Sequence, residues 1–507
     1  MKRLRLAFCA FLFLTACSRK PDANTLVMII ESTPANLDPR IGTDAWSERI
    51  DMLIFDSLVR RDEHFNLQPS VAARWEIPDP LTYIFHLRSG IRFHDGRPLA
   101  SRDVKWTIDS MLNGAVRSAR AATYQYVERI DAPDDFTVIF HLKEPFAGLL
   151  WNLADGAFGI VPYGSAAGFS QQPIGSGPFR FVSLQPDSEV ILERNPAYWD
   201  AQRLPNIQRV RFAIVPDTTT RALELRKGSG DVALTALTPD MIWTMRSDHS
   251  LEIEQAPGTV YAYLAFNLRD PILKDARVRQ AIAYAIDRRP MIEYLWRGLV
   301  RPASSILPPQ SWAYSDSGLH YDHDLDRARQ LLDAAGFRPA GDGIRVHLLM
   351  KTSNTDETTR LLAAVLQQQL RAVGIELDIR TMEFAAFYSD VTKGAFQLYS
   401  LRWIGGNQDP DIFEAVFATS SFPPRRANRG YYSNPRIDAL VAQGRRELDQ
   451  SKRAQIYAQI QQILARDLPY INLWYLDNVL VHTRRVQNLH LSPSGDYDFL
   501  TTAELSH

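Results

Sequence analysis

The segment Leu401-Arg402-Trp403-Ile404-Gly405-Gly406-Asn407-Gln408-Asp409-Pro410-Asp411 is the stretch of this chain best suited to holding a small molecule. Arg402 can clamp an anionic group with two parallel hydrogen bonds. Trp403 closes a strand and is either core or a flat wall under a ligand. Gly405, Gly406 and Asn407 make a glycine-rich loop that runs into a helix. Asp409 before Pro410 has a local explanation as a helix N-cap, with proline at the first helical position and Asp411 in the first turn; a cap can also line a cleft. This chemistry is binding, not bond-making. The chain has no Gly-x-Ser-x-Gly nucleophile elbow and no His-Glu-x-x-His metal spacing. Its histidines are scattered, and none is assigned to a metal. An envelope hydrolase would have only Asp409, Asp411 and those histidines, with no pair placed for acid–base work. His94-Asp95-Gly96 reads as a turn. Gly175-Ser176-Gly177 is too short for a phosphate loop and leads into a strand, so its glycines are read as permitting the turn's backbone angles.

Stepping outward, the N-terminus carries Lys2, Arg3 and Arg5, then an apolar run from Leu6 to Leu14, then Thr15-Ala16-Cys17. A basic start, an apolar stretch too short to span a bilayer and small residues at its exit describe a secretory signal. The segment resembles a bacterial lipoprotein signal, with residues 1–16 removed and Cys17 lipidated. Cys9 would leave with the signal, and Cys17 would be acylated, so disulfides, cysteine zinc sites and cysteine nucleophiles are excluded. Residues 17–25 read as a lipid-anchored tether. The formal net charge is −1 and no long basic run exists, which argues against nucleic acid. No second apolar stretch approaches the ~20 residues of a membrane span. The expected location is outside the cytoplasm, tethered to the bacterial membrane by lipid alone.

The chain is long enough for at least two cores, since a single core stops growing at roughly 250–300 residues. Leu26 to Ile30 reads as a strand, ended by Glu31-Ser32-Thr33-Pro34, and Gly42 to Leu58 as a loop leading into a helix. The tripeptide Phe-His-Leu occurs at 85–87 and at 140–142, in two alternating segments read as half-buried strands. Asp103 falls in the first turn of a helix through Val104, Ile108 and Met111; Ser101 is read as its cap because Ala100 has no hydroxyl. Asp275 caps a helix whose shared face is Val278, Ala281, Ile282 and Ala285. Strand 344–350, helix 358–373 and strand 375–381 predict parallel pairing with a right-handed crossover. Helices follow at about 435–448 and 452–466. The strands Ile471–Leu476 and Val479–His482 return the chain. No Gly-, Ser- or Pro-rich linker separates the strand-rich first half from the helix-rich second.

Several segments carry a family resemblance: Leu87-Arg88-Ser89-Gly90-Ile91-Arg92-Phe93-His94-Asp95-Gly96-Arg97-Pro98-Leu99 with Asp103-Val104-Lys105-Trp106, Pro173-Ile174-Gly175-Ser176-Gly177-Pro178-Phe179, Asn195-Pro196-Ala197-Tyr198-Trp199, Asp275 through Arg288, and Trp403 through Asp411. In this order they resemble the family 5 extracellular solute-binding proteins, the oligopeptide, dipeptide and nickel receptors of ABC importers. The resemblance covers about residues 26 to 480. It implies an α/β fold, a two-lobed periplasmic-binding-protein clamshell (type II, cluster C-like) with an extra strand-rich subdomain at about 45–170. Lobe one would span 26–265, lobe two 266–482, and residues 483–507 would return to lobe one. Hinge segments are expected near Tyr263–Asn267 and Leu480–Arg485.

The family resemblance also implies function: capture of a short peptide or peptide-like solute between the lobes, and delivery to a permease driven by ATPases, by a monomer without catalysis, cofactor or metal. The Gly42-Thr43-Asp44-Ala45-Trp46 region would face the cleft from lobe one, making Thr43, Asp44 and Trp46 candidates; a helix cap is the alternative for Thr43 and Asp44. Ser176 would border the cleft. Dipeptide-binding relatives carry an aspartate for the ligand's α-ammonium where this chain has Gly406. Asp409 or Asp44 could replace it. Otherwise the solute is amine-free, anionic at Arg402, or a metal chelate. A ligand sensor or chaperone on the same fold is a further alternative.

Overall fold

The run Leu-Val-Met-Ile-Ile at 26–30 has no polar face, and a strand apolar on both sides must be covered on both. The strand Thr25–Ile30 is accordingly buried at every residue. It lies at the centre of a seven-stranded sheet ordered Leu251–Ala256, Asn478–Thr483, Val232–Leu234, Thr25–Ile30, Arg209–Ile214, Glu189–Arg194, Phe179–Gln185. Thr25–Ile30 pairs in parallel with both Val232–Leu234 and Arg209–Ile214. The structure is a computed structural model describing residues 22–155, 158–166, 168–316, 318–355, 357–405 and 409–506. The signal segment, Cys17, Gly406 and Asn407 lie outside the described residues. Among the described residues no helix is long and apolar enough to cross a membrane.

A second sheet has six strands, ordered Val300–Pro302, Tyr470–Leu476, Tyr261–Phe266, Leu398–Trp403, Val346–Ser353, Ile375–Met382. Val346–Ser353 and Ile375–Met382 pair in parallel from Val346↔Ile375 to Ser353↔Met382, with the helix Glu357–Arg371 between them in sequence. That is the pairing the strand–helix–strand order predicts, because only a crossover can return the chain in the same direction. Tyr261–Phe266 is buried throughout, and its alternate residues serve two cores. Ala262, Leu264 and Phe266 pack with the helices Ala276–Ala285, Leu325–Ala334 and Glu357–Arg371. Tyr261, Tyr263 and Ala265 pack with Ile412–Phe417, Pro435–Arg446 and Gln450–Asp467.

The two Phe-His-Leu segments are neighbours in a four-stranded antiparallel sheet, ordered Ala72–Asp79, Thr82–Leu87, Thr137–Leu142, Val127–Asp134. Both inner strands alternate half-buried and buried residues, and Tyr83 faces Phe140. Each belongs to a hairpin with irregularities at matching positions, so the shared tripeptide marks two like hairpins packed side by side.

Helix starts follow their caps. Asp275 Oδ1 accepts the Arg277 amide at 2.9 Å, as its position before the helix predicts. Ser101 does not cap the helix Ser101–Leu112; its hydroxyl donates to the Asp134 carbonyl instead. Asp103 Oδ2 takes the Ala100 amide at 2.8 Å, satisfying one of the exposed donors of that turn.

The chain crosses between the two large sheets in two places. It leaves the first sheet after Ala256 and enters the second at Tyr261; it leaves the second at Leu476 and re-enters the first at Asn478. The crossings therefore lie at 257–260 and at Asp477, not within Tyr263–Asn267 and Leu480–Arg485, most of which is sheet interior. The lobe limits at 265/266 and 482/483 shift with them. Apolar patterning marks both segments as strands, but only long-range pairing tells which sheet each one joins. Gly258 sits where the crossings touch, and a Cβ there would lie 2.3 Å from the Leu476 carbonyl oxygen.

Candidate ligand-binding cleft

In open α/β sheets, ligands sit beyond the carboxyl ends of the parallel strands. Here those ends come from both sheets: Ile30, Ile214 and Leu234 from the first, Ser353 and Trp403 from the second. A cavity of about 240 Å³ lies where they converge. Glu31, Arg221 and Thr238 line it from the first sheet's side, Arg402 and Trp296 from the second's, and Asp477 from the crossing. A larger cavity of about 620 Å³ is walled entirely by the first lobe and its C-terminal return, including Arg60, His64, Arg203 and Asp498. We take the smaller one as the cleft, because only it is built by both sheets and a crossing, the setting in which a solute site is expected.

Glu31 follows the central strand directly. Its Oε2 accepts the indole N–H of Trp46 at 3.0 Å. Trp46 is not among the residues lining the cavity; it holds the wall residue Glu31 in place from behind. Asp44 is committed elsewhere: it is the N-cap of the helix Ala45–Ile54, with Oδ1 accepting the Ser47 amide at 3.0 Å and Oδ2 the Ala35 amide at 3.2 Å. Thr43 is exposed and is not among the residues lining the cavity.

Arg402 and Trp403 are adjacent in a strand, so their side chains leave opposite faces of the sheet. Arg402 is exposed and lines the cavity. Trp403 packs against the tyrosine-rich core of the other face, under the Arg429 guanidinium at 5.5 Å, with its indole nitrogen buried and, among the described residues, without a hydrogen-bond partner. The geometry therefore supports the core reading for Trp403. Gly405 adopts φ +69°, a backbone angle glycine takes without strain.

Asp409 is not the N-cap of the following helix; that position belongs to Asp411, and the helix is Ile412–Phe417. The carboxylate of Asp409 instead receives Arg453 through two hydrogen bonds of 3.2 Å. Burial pushes the Asp409 carboxyl above its ordinary range, and Arg453 opposes that push. Asp411 accepts Arg445 Nε at 2.6 Å. Both arginines carry the loop toward the strand-rich subdomain. Arg453 lies 4.9 Å from the Trp151 ring and 5.3 Å from Trp312, while Arg445 donates to the Tyr126 hydroxyl at 2.9 Å. The acidic pair that a hydrolase would need is thus already engaged by two guanidinium groups.

Ser176 is fully buried, and its hydroxyl donates to Asp56 at 2.8 Å. Asp56 also accepts from the Tyr198 hydroxyl and the Trp199 indole, each at 2.9 Å. Ser176 therefore serves the first lobe's interior, not the cleft. Gly175 and Gly177 are required by close approach: a Cβ would come 1.9 Å from the Ile54 carbonyl oxygen at Gly175 and 2.6 Å from that of Leu53 at Gly177. His94 braces the same turn, donating from Nε2 to the Gly177 carbonyl at 3.0 Å and accepting the Gly175 amide on Nδ1 at 3.3 Å.

Sequence reasoning missed Glu31, Arg221 and Trp296. Glu31 did carry a signal, as an acid at the carboxyl end of the first apolar strand. Arg221 carried none, because the carbonyls of Val215, Pro216 and Ala236 that receive its guanidinium are assembled only by folding. Among the described residues no three His, Cys, Asp or Glu side chains converge on a metal-sized site.

Two sheets joined by paired crossings around a charged cavity define a two-lobed solute-binding architecture. Residues 66–422 match the family of bacterial extracellular solute-binding proteins, family 5 (middle), and the chain belongs to that family. It is 28% identical to a probable di/tripeptide-binding protein of Pseudomonas aeruginosa, over 98% of this chain and 99% of that one. It is 27% identical to the dipeptide-binding protein of Escherichia coli K12, over 94% of each chain. Among solved structures, the substrate-binding protein CtaP of Listeria monocytogenes superposes with a TM-score of 0.86 at 26% identity, covering 95% of this chain and 99% of that one. NikZ of Campylobacter jejuni, in complex with Ni(L-His), gives 0.81 at 25% identity and the same coverage.

Proposed function

We propose that this protein is the substrate-binding receptor of an ABC importer, taking a short peptide or peptide-like solute into the cleft between its two sheets and presenting it to a membrane permease driven by ATPases. The observation that carries the reading is the cavity itself, with Glu31 on one wall and Arg402 on the other. The di/tripeptide- and dipeptide-binding relatives support peptides as the solute class. Capture proceeds by hinge closure about residues 257–260 and Asp477, since few residues there need change for two rigid lobes to move. Cys17 anchors the chain by lipid, the folded part lies outside the cytoplasm, and the receptor acts as a monomer. A second reading, a metal chelate as solute, is favoured by the likeness to NikZ holding Ni(L-His).

Native mass spectrometry of gently purified protein tests the reading, followed by melting with whatever co-purifies. A ligand at ~100 times its dissociation constant adds roughly 2.7 kcal/mol to stability. A bound peptide that raises the melting point and compacts the protein in small-angle scattering supports the proposal. A metal chelate with the same effects selects the second reading. A confirmed ligand that leaves the scattering profile unchanged removes hinge closure.

A further inference from the structure

The chain joins the two lobes covalently at 257–260 and at Asp477. A further connection is made by side chains, between the strand-rich subdomain and the second lobe. Tyr126, Phe146 and Trp151 belong to the core of the subdomain. Arg445 lies in the last turn of the helix Pro435–Arg446, whose residues Ile437, Leu440 and Val441 pack in the second lobe. Its Nη2 donates to the Tyr126 hydroxyl at 2.9 Å. Its guanidinium lies 5.1 Å from the rings of both Tyr126 and Phe146. Its backbone carbonyl accepts the Ala147 amide at 2.8 Å. Trp312 of the second lobe continues the seam against Trp151, with 5.4 Å between ring centres.

Asp411 is spent on this contact. It occupies the N-cap position of the helix Ile412–Phe417, yet its side chain makes no cap hydrogen bond. A cap bond would stabilise the helix locally; the carboxylate instead accepts Arg445 Nε at 2.6 Å. One edge of the guanidinium is thus fixed in its own lobe, and Nη2 is aimed across the seam. On the other side, His94 bonds to both Gly175 and Gly177, and Asp56 to Tyr198 and Trp199, which fixes the subdomain to the first lobe.

Resting on the hinge motion proposed above, we infer that Arg445 is a latch on that motion, with Asp411 as its positioning residue. Rotation about two short crossings keeps each lobe rigid. The subdomain turns with the first lobe, so opening parts the seam. The bonds to Tyr126 and to Ala147 then break together, because both end on Arg445. The hydroxyl bond is charge-assisted and is the stronger of the two. The latch therefore favours the shut arrangement before any solute is bound.

The test is amide hydrogen exchange of the purified, solute-free protein, resolved by mass spectrometry at Ala147, Leu142 and Lys143 and repeated on Arg445→Gln, Asp411→Asn and Tyr126→Phe. Exchange of a protected amide follows the population of the state that exposes it. The Ala147 amide is covered from the other lobe, whereas those of Leu142 and Lys143 bond to the Leu81 and Tyr126 carbonyls inside the subdomain. Every variant keeps the backbone carbonyl at position 445. Arg445→Gln should speed Ala147 exchange about tenfold, the scale of one lost hydrogen bond to a charged group, and the other two variants about threefold, while Leu142 and Lys143 change by less than about twofold. Melting curves verify that the variants fold, and Tyr126→Phe, which removes a single oxygen, decides alone if the others do not. An unchanged Ala147 rate overturns the latch. Equal acceleration of all three amides does so too, since it means a loosened subdomain, as does a wild-type Ala147 amide that exchanges like an unprotected one. No solute enters the measurement, so these outcomes leave the receptor reading standing, and the search for a co-purifying solute tests that reading separately.

Discussion

The carboxylate of Asp409 meets the guanidinium of Arg453 side on, with Nη1–Oδ2 and Nη2–Oδ1 both at 3.2 Å. The arginine side chain is 1% exposed and the aspartate's 15%. The same guanidinium lies against Trp151 of the strand-rich part and Trp312 of the second lobe. The loop that follows the Arg402 strand is therefore tied directly to the contact between two parts of the molecule.

Removing one partner of a buried pair strands the other charge, which typically costs about 3–5 kcal/mol, while replacing both is far milder. Arg453→Met should lower unfolding free energy by about 3 kcal/mol, and Asp409→Asn by less, because Asp409 keeps some water. The double variant should recover part of the Arg453→Met loss. Urea melts of the four proteins give the coupling energy directly. Strict additivity would mean that the two groups do not stabilise one another.

Trp403 offers a second test, since its ring belongs to the tyrosine-rich core. Trp403→Ala should lower the melting point of the unliganded protein, by an amount equivalent to about 2–3 kcal/mol for a large ring not wholly buried. Arg402→Gln, one residue earlier on the opposite face, should leave that melting point nearly unchanged. A Trp403→Ala protein that melts like wild type but binds its ligand weakly would move the ring from the core to the cleft.

What the sequence disclosed and what it withheld divide along physical lines. The Val346–Ser353 and Ile375–Met382 pair was legible because apolar period and the connecting helix are local properties that also dictate parallel pairing. The Asp275 cap was legible for the same reason. The roles of Ser176, Asp409 and Trp403 were not. Each depends on a partner distant in the chain: Asp56 at 120 residues, Arg453 at 44, and the strand Tyr261–Phe266. Glycine was legible as a residue but not in its reason, since Gly175 is demanded by the Ile54 carbonyl and not by a turn angle.

Asp51 lies wholly inside the helix Ala45–Ile54, and its Oδ1 has no hydrogen-bond partner among the described residues. Burial, and then the Asp38 charge, raise its carboxyl well above the ordinary range. A group whose folded pKa exceeds its unfolded one stabilises the protein at low pH and loses that contribution as pH rises through the folded value. Asp51→Asn should therefore stabilise the protein near neutrality, by about 1–2 kcal/mol on the scale of an unsatisfied buried polar group. The gain should shrink as pH approaches 4. Thermal melts of both proteins from pH 4 to 8 measure the difference, and a gain that stayed constant with pH would exclude this origin.

His94 titrates in the opposite sense. Burial lowers its pKa to about 4, although the Gly177 carbonyl on Nε2 favours the proton. Its Nδ1 accepts the Gly175 amide, and a proton on Nδ1 would break that bond. With the folded value below the unfolded one, near 6.5, only the unfolded chain gains a proton as the pH falls between them, so stability must drop across that window. The shift corresponds to about 3 kcal/mol by pH 4. His94→Gln removes the titrating group and should flatten the decline between pH 6.5 and 4, at some loss of stability near pH 7, where the turn at Gly175-Ser176-Gly177 is no longer braced on both sides. Urea melts across that range compare the two slopes. A variant that declines as steeply as wild type would show that His94 is not the source of the acid sensitivity, and the buried carboxylates, whose raised pKa values act in the opposite sense, could not replace it.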